Sequence, residues 1–241
     1  TTDGGSHPTV SPDGQWVAYI TGTDESPDLG SIYLVPARGG PAKRFSLRGI
    51  RGGAHPAFSP DGTSLIFAGV SNMKTYWIGD DSISFANVAL IVIDLLSLTS
   101  SVFAGSSDVL IDTGRVYAWP SFSPDGRQVA YSEHTNDLSG GLEVIESGGK
   151  PVFHFPQGTD STPYWRPRFD RDGSAILCYG PGNYESSRGT IYLVNVQKGT
   201  KRRITEGSNP TFVSHGRAIL FERPAADPRT TSDLWYLDLS Q

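Results

Sequence analysis

The sequence predicts an all-β fold, and three observations support this prediction. A proline-led motif ending in a turn of the type S-P-D-G recurs five times along the chain. Each copy has the pattern of two short strands joined by a tight turn. Glycine and proline are frequent, with 28 and 17 residues, and aromatic residues make up 11% of the chain. Such a composition is typical of a β protein with many turns.

The repeat also predicts how the strands are arranged. Its clearest copy, residues 119–133, reads W-P-S-F-S-P-D-G-R-Q-V-A-Y-S-E. The prolines that open the five copies are Pro8, Pro56, Pro120, Pro167 and Pro210. A recurrence every 43 to 64 residues or so, filling the whole chain, is typical of a propeller. We therefore predict one domain, 1–241, folded as a five-bladed β-propeller of four-stranded antiparallel blades.

Each copy of the motif carries the physical chemistry of a hairpin. In S-P-D-G, Pro fixes φ at the first turn position, Asp suits the second, and Gly adopts the left-handed conformation that closes the turn. The second strand follows with apolar residues at alternate positions, as in Val129 and Tyr131. The proline before the first strand is tolerated because an innermost strand has one edge without a partner.

Two blades depart from the common pattern. Residues 72–87 in blade two extend its connection between second and third strands, and we predict an inserted loop there. Blade five reaches its third strand at Leu234–Leu239 without a fourth, so we expect it to be closed by the N-terminus or three-stranded. Because radial closure hides sheet edges, we expect a closed ring. Five blades of a six- or seven-bladed propeller are the alternative.

Charge and cysteine content argue against nucleic-acid binding and against an intrachain disulfide. A net charge of −5 gives no reason to expect nucleic acid, and the longest basic run is Lys201-Arg202-Arg203, which we interpret as a solvated face of an outer strand. The one cysteine, Cys178, allows no intrachain disulfide and is predicted to be buried. The sequence shows no signal peptide and no membrane-spanning run.

The motif x-P-x-F-S-P-D-G-x-x-[IVL]-[AVL]-[FY] resembles the TolB-type, WD40-like (PD40) propeller repeat over nearly the whole chain. Members of that family include the periplasmic protein TolB, the propeller caps of prolyl-oligopeptidase and tricorn-type proteases, and oligogalacturonate lyases. TolB itself has six such blades and an N-terminal α/β domain, so its partner-binding residues are not transferred to this chain. The resemblance implies a monomeric binding module or scaffold in the periplasm or outside the cell.

Candidate ligand-binding residues gather on the face opposite the S-P-D-G turns. Strand direction places the residue before each inner-strand proline around one mouth of the central channel, together with the loops after the second strands. Loops on a rigid scaffold are where function usually lies. The candidates are His7, His55, Tyr76, Trp77, Trp119, His134, Trp165, Arg166, Arg168, Tyr184 and Asn209.

Arg168 is the most unusual of these residues. Its counterparts in the other blades are Thr9, Ala57, Ser121 and Thr211, all small, as a crowded hub requires. An arginine there must pair with an acid, bind the carbonyls of the channel wall, or direct its guanidinium group into the channel. Since guanidinium suits carboxylates, the sequence predicts a mouth that binds a small anion, an acidic saccharide or a protein partner.

Catalytic alternatives have weaker support. No G-x-S-x-G motif is present, and the inner strands carry no acid of the kind that a glycosidase needs. His7 and His55 would make a lyase-like metal centre only with a third ligand from Glu133, His134 or Asn209. We therefore predict no catalytic residue and no cofactor. The alternatives are a carbohydrate-active enzyme with such a metal, or the cap of a larger hydrolase or peptidase.

Overall fold

A computed structural model provides the coordinates. It describes residues 5–23, 26–45, 50–78, 81–110, 116–134, 140–146, 149–156, 164–180, 189–225 and 232–239. These residues form antiparallel strands and turns, with one 3-10 turn at Ser214–Gly216. No helix among them is long and apolar enough to cross a membrane.

The strands follow the repeat, and each blade begins at the strand that carries the motif proline. Blade one contains β1 (Gly5–Val10), β2 (Trp16–Thr23), β3 (Ser26–Pro36) and β4 (Lys43–Phe45). Blade two contains β5 (Ile50–Phe58), β6 (Ser64–Ile78), β7 (Asp81–Asp94) and β8 (Ser100–Leu110). Blade three contains β9 (Val116–Phe122), β10 (Gln128–His134), β11 (Gly140–Glu146) and β12 (Pro151–Pro156). Blade four contains β13 (Trp165–Phe169), β14 (Ala175–Gly180), β15 (Thr190–Asn195) and β16 (Thr200–Glu206). Blade five contains β17 (Ser208–Val213), β18 (Ala218–Pro224) and β19 (Ser232–Asp238).

The S-P-D-G turns repeat one hydrogen-bond pattern. In blade three, the Ser123 hydroxyl donates to Asp125 Oδ1 at 2.6 Å, and the backbone N–H of Gln128 donates to Ser123 Oγ at 2.9 Å. The turns at Ser11 and Ser59 repeat both bonds. Each turn therefore fixes the register of its hairpin with two side chains, as its sequence predicts.

Consecutive blades pack face to face through four apolar cores. Phe67 packs against blade one, Tyr131 against blade two, Cys178 against blade three and Phe221 against blade four. These residues occupy equivalent positions in the second strands, as the sequence predicts. Cys178 is fully buried, and this burial raises the pKa of its thiol to about 12. It is a core residue and not a nucleophile.

The expected closure of the ring does not appear in the described part of the chain. No core cluster there joins blade five to blade one, and Val10 on the outer face of blade one is 58% exposed. Gly62 lies against the turn proline of the preceding blade, whereas Gly14 in blade one has no such neighbour. Within the described residues blade five is three-stranded, the second of the two predicted forms, and β1 pairs with β2 and not with β19.

The predicted inserted loop in blade two is wrong. Strands β6 and β7 continue through it as a long hairpin that pairs Trp77 with Ser82 and Ile78 with Asp81. Strand β8 pairs with the same extension, with Phe85 opposite Leu110 and Ala86 opposite Val109. The structure of this region depends on pairing across strands. Polar residues such as Asn72 and Lys74 interrupt the apolar pattern by which strands are predicted from sequence.

The basic run in β16 is only partly a solvated face. Lys201 Nζ donates a hydrogen bond to the Tyr164 hydroxyl at 2.7 Å and lies 4.7 Å from the ring centroid of Tyr192. The rings of Tyr164 and Phe155 lie 5.2 and 5.8 Å away. Lys201 therefore stabilises the boundary between blades three and four, because a cation over several aromatic faces is attracted by each of them. Its neighbour Arg202 is exposed, as predicted.

Candidate ligand site at the channel mouth

A β-bulge lies at the same place in every blade, where the sequence predicts the channel mouth. In blade one, Ser6 pairs with Ile20 and Thr9 pairs with Ala18, so His7 and Pro8 together face Tyr19. The other four blades repeat this two-to-one arrangement at their own motif proline. Proline has no N–H to donate to the ladder, and the bulge absorbs this break in pairing.

The residue before each proline adopts a positive φ. The angles are 49° for His7, 53° for His55, 51° for Trp119, 50° for Arg166 and 51° for Asn209. Residues other than glycine rarely adopt this region, and each instance costs about 1 kcal/mol or more. We call these five residues the hub ring, since each precedes the motif proline of an inner strand. Neighbouring inner strands pack beside one another in the order β1, β5, β9, β13 and β17.

Part of the hub ring forms a continuous wall of aromatic and imidazole rings. His7 and His55 meet edge to face with their centroids 4.5 Å apart, and His55 lies 4.3 Å from Trp119. Trp119 meets Trp165 edge to face at 4.8 Å. The two tryptophans are only 6% and 3% exposed. They are therefore too buried to offer an open stacking surface.

The other part of the hub ring is polar. Arg166 Nε and Asn209 Oδ1 are buried and have no hydrogen-bond partner among the described residues. Asn209 is held in place because its Nδ2 donates to Glu222 Oε2 at 3.0 Å. A buried polar atom without a partner costs roughly 1–3 kcal/mol. A ligand that satisfied these two atoms would recover part of that cost.

Arg168 adds a second guanidinium group to this sector. It lies in β13 opposite Leu177, and its Nη1 donates to the carbonyl oxygen of Pro167 at 3.0 Å. The salt bridges formed within the described residues do not include it. Burial, and secondly the charge of Arg166, lowers the pKa of Arg168 to about 10, so it remains a cation at neutral pH. One carbonyl contact leaves most of its five donors available to a ligand.

Comparison with solved structures identifies the fold of this chain. The TolB protein of Acinetobacter baumannii is 18% identical with a TM-score of 0.64, over 99% of this chain and 53% of that chain. A putative TolB from Agrobacterium tumefaciens is 16% identical with a TM-score of 0.67, over 99% and 78%. The fold is that of a TolB-type β-propeller. No protein-family model matches the sequence, and neither does any curated protein.

A further structural relative lies outside the TolB proteins. The propeller domain of the trilobed protease from Pyrococcus furiosus, described as having an open velcro topology, is 14% identical with a TM-score of 0.55. The match covers 98% of this chain and 68% of that domain. At such identities the likeness shows the fold alone. The chain spans about half the length of the Acinetobacter TolB.

The remaining predicted site residues of this TolB-type propeller are Tyr76, Trp77, His134 and Tyr184. Tyr76 and Trp77 are in the extended part of β6, and His134 ends β10. Tyr184 lies outside the described residues. Their part in a ligand site stays a prediction.

The metal hypothesis for His7 and His55 also stays a prediction. The two imidazoles are adjacent, as their repeat positions suggest. The described residues contain no group of three or more His, Cys, Asp and Glu side chains that could hold a metal ion. The third ligand that such a centre needs is therefore not identified among them.

A surface cleft between blades four and five is a weaker candidate anion site than the channel mouth. It has a volume of about 780 Å³ and is lined by Arg203, Glu206 and Arg223. Arg203 pairs with Glu206 at 3.0 Å, and Arg223 donates to the backbone oxygen of Glu206 at 2.9 Å. These charged groups satisfy one another, so the cleft gives no comparable reason to bind an anion.

Proposed function

We propose that this TolB-like propeller is a non-catalytic binding module that takes a carboxylate group, on a small anion, an acidic saccharide or a protein partner, at its channel mouth. The observation that carries the proposal is the cationic sector formed by Arg166 and Arg168. Directly after the motif proline, β13 has an arginine, whereas the other four inner strands have Thr, Ala or Ser.

The chemistry of the sector favours a carboxylate. A guanidinium group presents two parallel N–H donors that match the two oxygens of a carboxylate. Arg168 donates one hydrogen bond to the carbonyl oxygen of Pro167. Arg166 Nε is a buried donor that lacks a hydrogen-bond partner among the described residues. Asn209 Oδ1 is a matching acceptor for a ligand hydroxyl. An acidic sugar supplies both kinds of group.

A binding role fits the hub ring better than catalysis does. The ring consists of two histidines, a tryptophan, an arginine and an asparagine, whereas glycoside hydrolysis needs a pair of carboxylates across the scissile bond. The residues that approach the mouth are held by repeated backbone geometry and by ring contacts. Such preorganisation suits recognition, because little conformational entropy is lost on binding. We further propose that the protein acts as a monomer in the periplasm or outside the cell, as its TolB neighbours suggest.

Isothermal titration calorimetry with citrate and with a galacturonate trimer tests the proposal. Replacing Arg168 by Ala should weaken binding about tenfold or more, because a charge-assisted bidentate contact contributes about 1.5–3 kcal/mol. Arg202→Ala is the matched control, since Arg202 is an exposed arginine on the outer strand of the same blade. Lys201 is unsuitable as a control because it contacts three aromatic rings.

The two variants give outcomes that separate the alternatives. Loss of affinity in Arg168→Ala with wild-type affinity in Arg202→Ala supports a specific anion site. Equal losses in both variants indicate general electrostatic attraction and contradict the proposal. Wild-type affinity in both variants contradicts it too, as does the absence of binding by the wild-type protein.

A further inference from the structure

A cavity lies between blades two and three, among their S-P-D-G turns. Its volume of about 540 Å³ is in the range of small-molecule sites. The lining includes Asp61 and Asp125 from the two turns, and Val92, Phe103 and Phe122 from the strands. None of the hub-ring residues lines it, so this cavity is separate from the channel mouth.

Ser101 in the lining of this cavity is smaller than its counterparts in the other blades. It pairs with Val92, and the equivalent pairs place Lys43, Phe153 and Arg202 at the same position of the fourth strands in blades one, three and four. Serine is the smallest of these four side chains. The cavity therefore lies where a fourth strand of this fold otherwise carries a large side chain.

Blade three shows which group this position accommodates. Phe153 packs against the core between blades three and four, and its ring stacks on that of Phe155 with the centroids 6.0 Å apart and the planes at 26°. Phe103 is the counterpart of Phe155 in blade two, because it lies two residues after Ser101 and packs against the core between blades two and three. An aromatic ring in the cavity would therefore stack on Phe103 as Phe153 stacks on Phe155.

The carboxylate of Asp61 determines which charge the cavity favours. The Ser59 hydroxyl, and the backbone N–H and hydroxyl of Thr63, all donate to its Oδ1. These donors are neutral, so they lower the pKa of Asp61 without cancelling its charge. Within the described residues its Oδ2 accepts no hydrogen bond. Asp125 contributes less, because its Oδ2 lies 4.0 Å from Nε of exposed Arg127.

We infer that this cavity binds an aromatic ring that carries an ammonium group. The ring stacks on Phe103, and the ammonium group donates a hydrogen bond to Asp61 Oδ2. Aromatic stacking and a charge-assisted hydrogen bond both contribute to the affinity. A free arylalkylamine and the N-terminal phenylalanine of a peptide share this chemistry.

Isothermal titration calorimetry with 2-phenylethylamine tests the charge preference. Asp61→Asn keeps an acceptor oxygen for the turn but removes the charge, so it should weaken binding about fivefold or more. Asp13→Asn is the matched control, because Asp13 accepts the equivalent turn bonds in blade one and does not line the cavity. The anion 3-phenylpropanoate has the same ring and should bind about tenfold more weakly than the amine, or less.

Replacing Ser101 by Phe tests the position of the ring. The new side chain supplies the ring from the protein itself, as Phe153 does in blade three, so the amine should bind about tenfold more weakly or less. Ser100→Phe is the matched control, since exposed Ser100 pairs with Ile93 and does not line the cavity. Its affinity for the amine should equal that of the wild type.

The source of the ligand follows from a comparison of 2-phenylethylamine with the peptide amide Phe-Gly-Gly-NH₂. Tighter binding of the peptide assigns the cavity to a peptide N-terminus, and tighter binding of the amine assigns it to a free amine. Absence of binding of both compounds by the wild type overturns the inference. Wild-type affinity for the amine in Ser101→Phe also overturns it, as does equal binding of 2-phenylethylamine and 3-phenylpropanoate.

Discussion

The guanidinium group of Arg168 donates a hydrogen bond to the carbonyl oxygen of Pro167, the residue that precedes it, at a distance of 3.0 Å. This contact holds the guanidinium group against its own strand. No carboxylate within the described residues forms a salt bridge with it. Burial and the neighbouring Arg166 lower its pKa, which means that the folded protein pays free energy to keep the cation.

Removing this charge should stabilise the protein. Arg168→Met keeps an unbranched side chain and removes a desolvated cation, so we expect the free energy of unfolding to rise by about 1 kcal/mol. Urea unfolding at pH 7 measures the change. Arg202→Met should leave it nearly unaltered. A fall of 1 kcal/mol or more in Arg168→Met would show that Arg168 is a structural residue.

Replacing Lys201 should destabilise the protein. Its ammonium group contacts the rings of Phe155, Tyr164 and Tyr192 and the hydroxyl of Tyr164, so it joins β16 to blade three. Lys201→Ala should lower the free energy of unfolding by about 1–2 kcal/mol.

Thermal or urea unfolding of Lys201→Ala and Lys198→Ala makes the comparison. Lys198 is an exposed lysine in the turn before β16. Its replacement should change stability by less than about 0.5 kcal/mol. Equal effects of the two substitutions would show that the ring contacts contribute little.

The repeat made most of the fold predictable. Each proline and each S-P-D-G turn fixes local backbone geometry, so their spacing gives the blades and the face on which the pre-proline residues gather. That His7, His55 and Trp119 lie side by side follows from their equivalent positions. Burial of Cys178 follows from the same alignment.

Features that depend on non-local contacts could not be predicted in this way. The positive φ of Trp119 and Arg166 results from the bulge, and neither residue type favours that conformation. The long hairpin of β6 and β7 depends on pairing across strands. Leu234 is exposed because no further blade packs on its face of blade five among the described residues, whereas the equivalent residues Ile32, Leu90, Leu142 and Ile191 lie in the cores between blades.

The turn of blade four holds two acids, whereas the turns of blades one to three each hold a serine and an acid. Asp170 occupies the place of Ser11, Ser59 and Ser123, and the backbone N–H of Ala175 donates to its Oδ1 at 3.1 Å. The serine hydroxyl donates to the turn aspartate in those three blades, but ionised Asp170 has no proton to donate to Asp172. Burial, and after it the charge of Asp172, raises the pKa of Asp170.

The sign of the resulting pH dependence follows from this shift. A carboxyl whose pKa is higher in the folded state stabilises the fold when it is protonated, and this stability is lost as the pH rises through the folded pKa. The turns at Asp13, Asp61 and Asp125 behave in the opposite way. Serine hydroxyl donors lower the pKa of each of these carboxyls, so their contribution is lost as the pH falls.

Asp170→Ser should restore the common turn and raise the free energy of unfolding at pH 7 by about 0.5–1.5 kcal/mol, the net contribution of one hydrogen bond. The gain should shrink as the pH falls through the raised pKa of Asp170, and it should be smallest below the ordinary carboxyl value of about 3.9, where this group is protonated in both the folded and the unfolded wild type. Urea unfolding of the wild type and of Asp170→Ser at pH 7 and pH 3 measures this difference in the free energy of unfolding. Ser123→Asp is the reverse control and should destabilise blade three at pH 7. A gain in Asp170→Ser that is equal at both pH values would mean that charge repulsion between Asp170 and Asp172 is not its source.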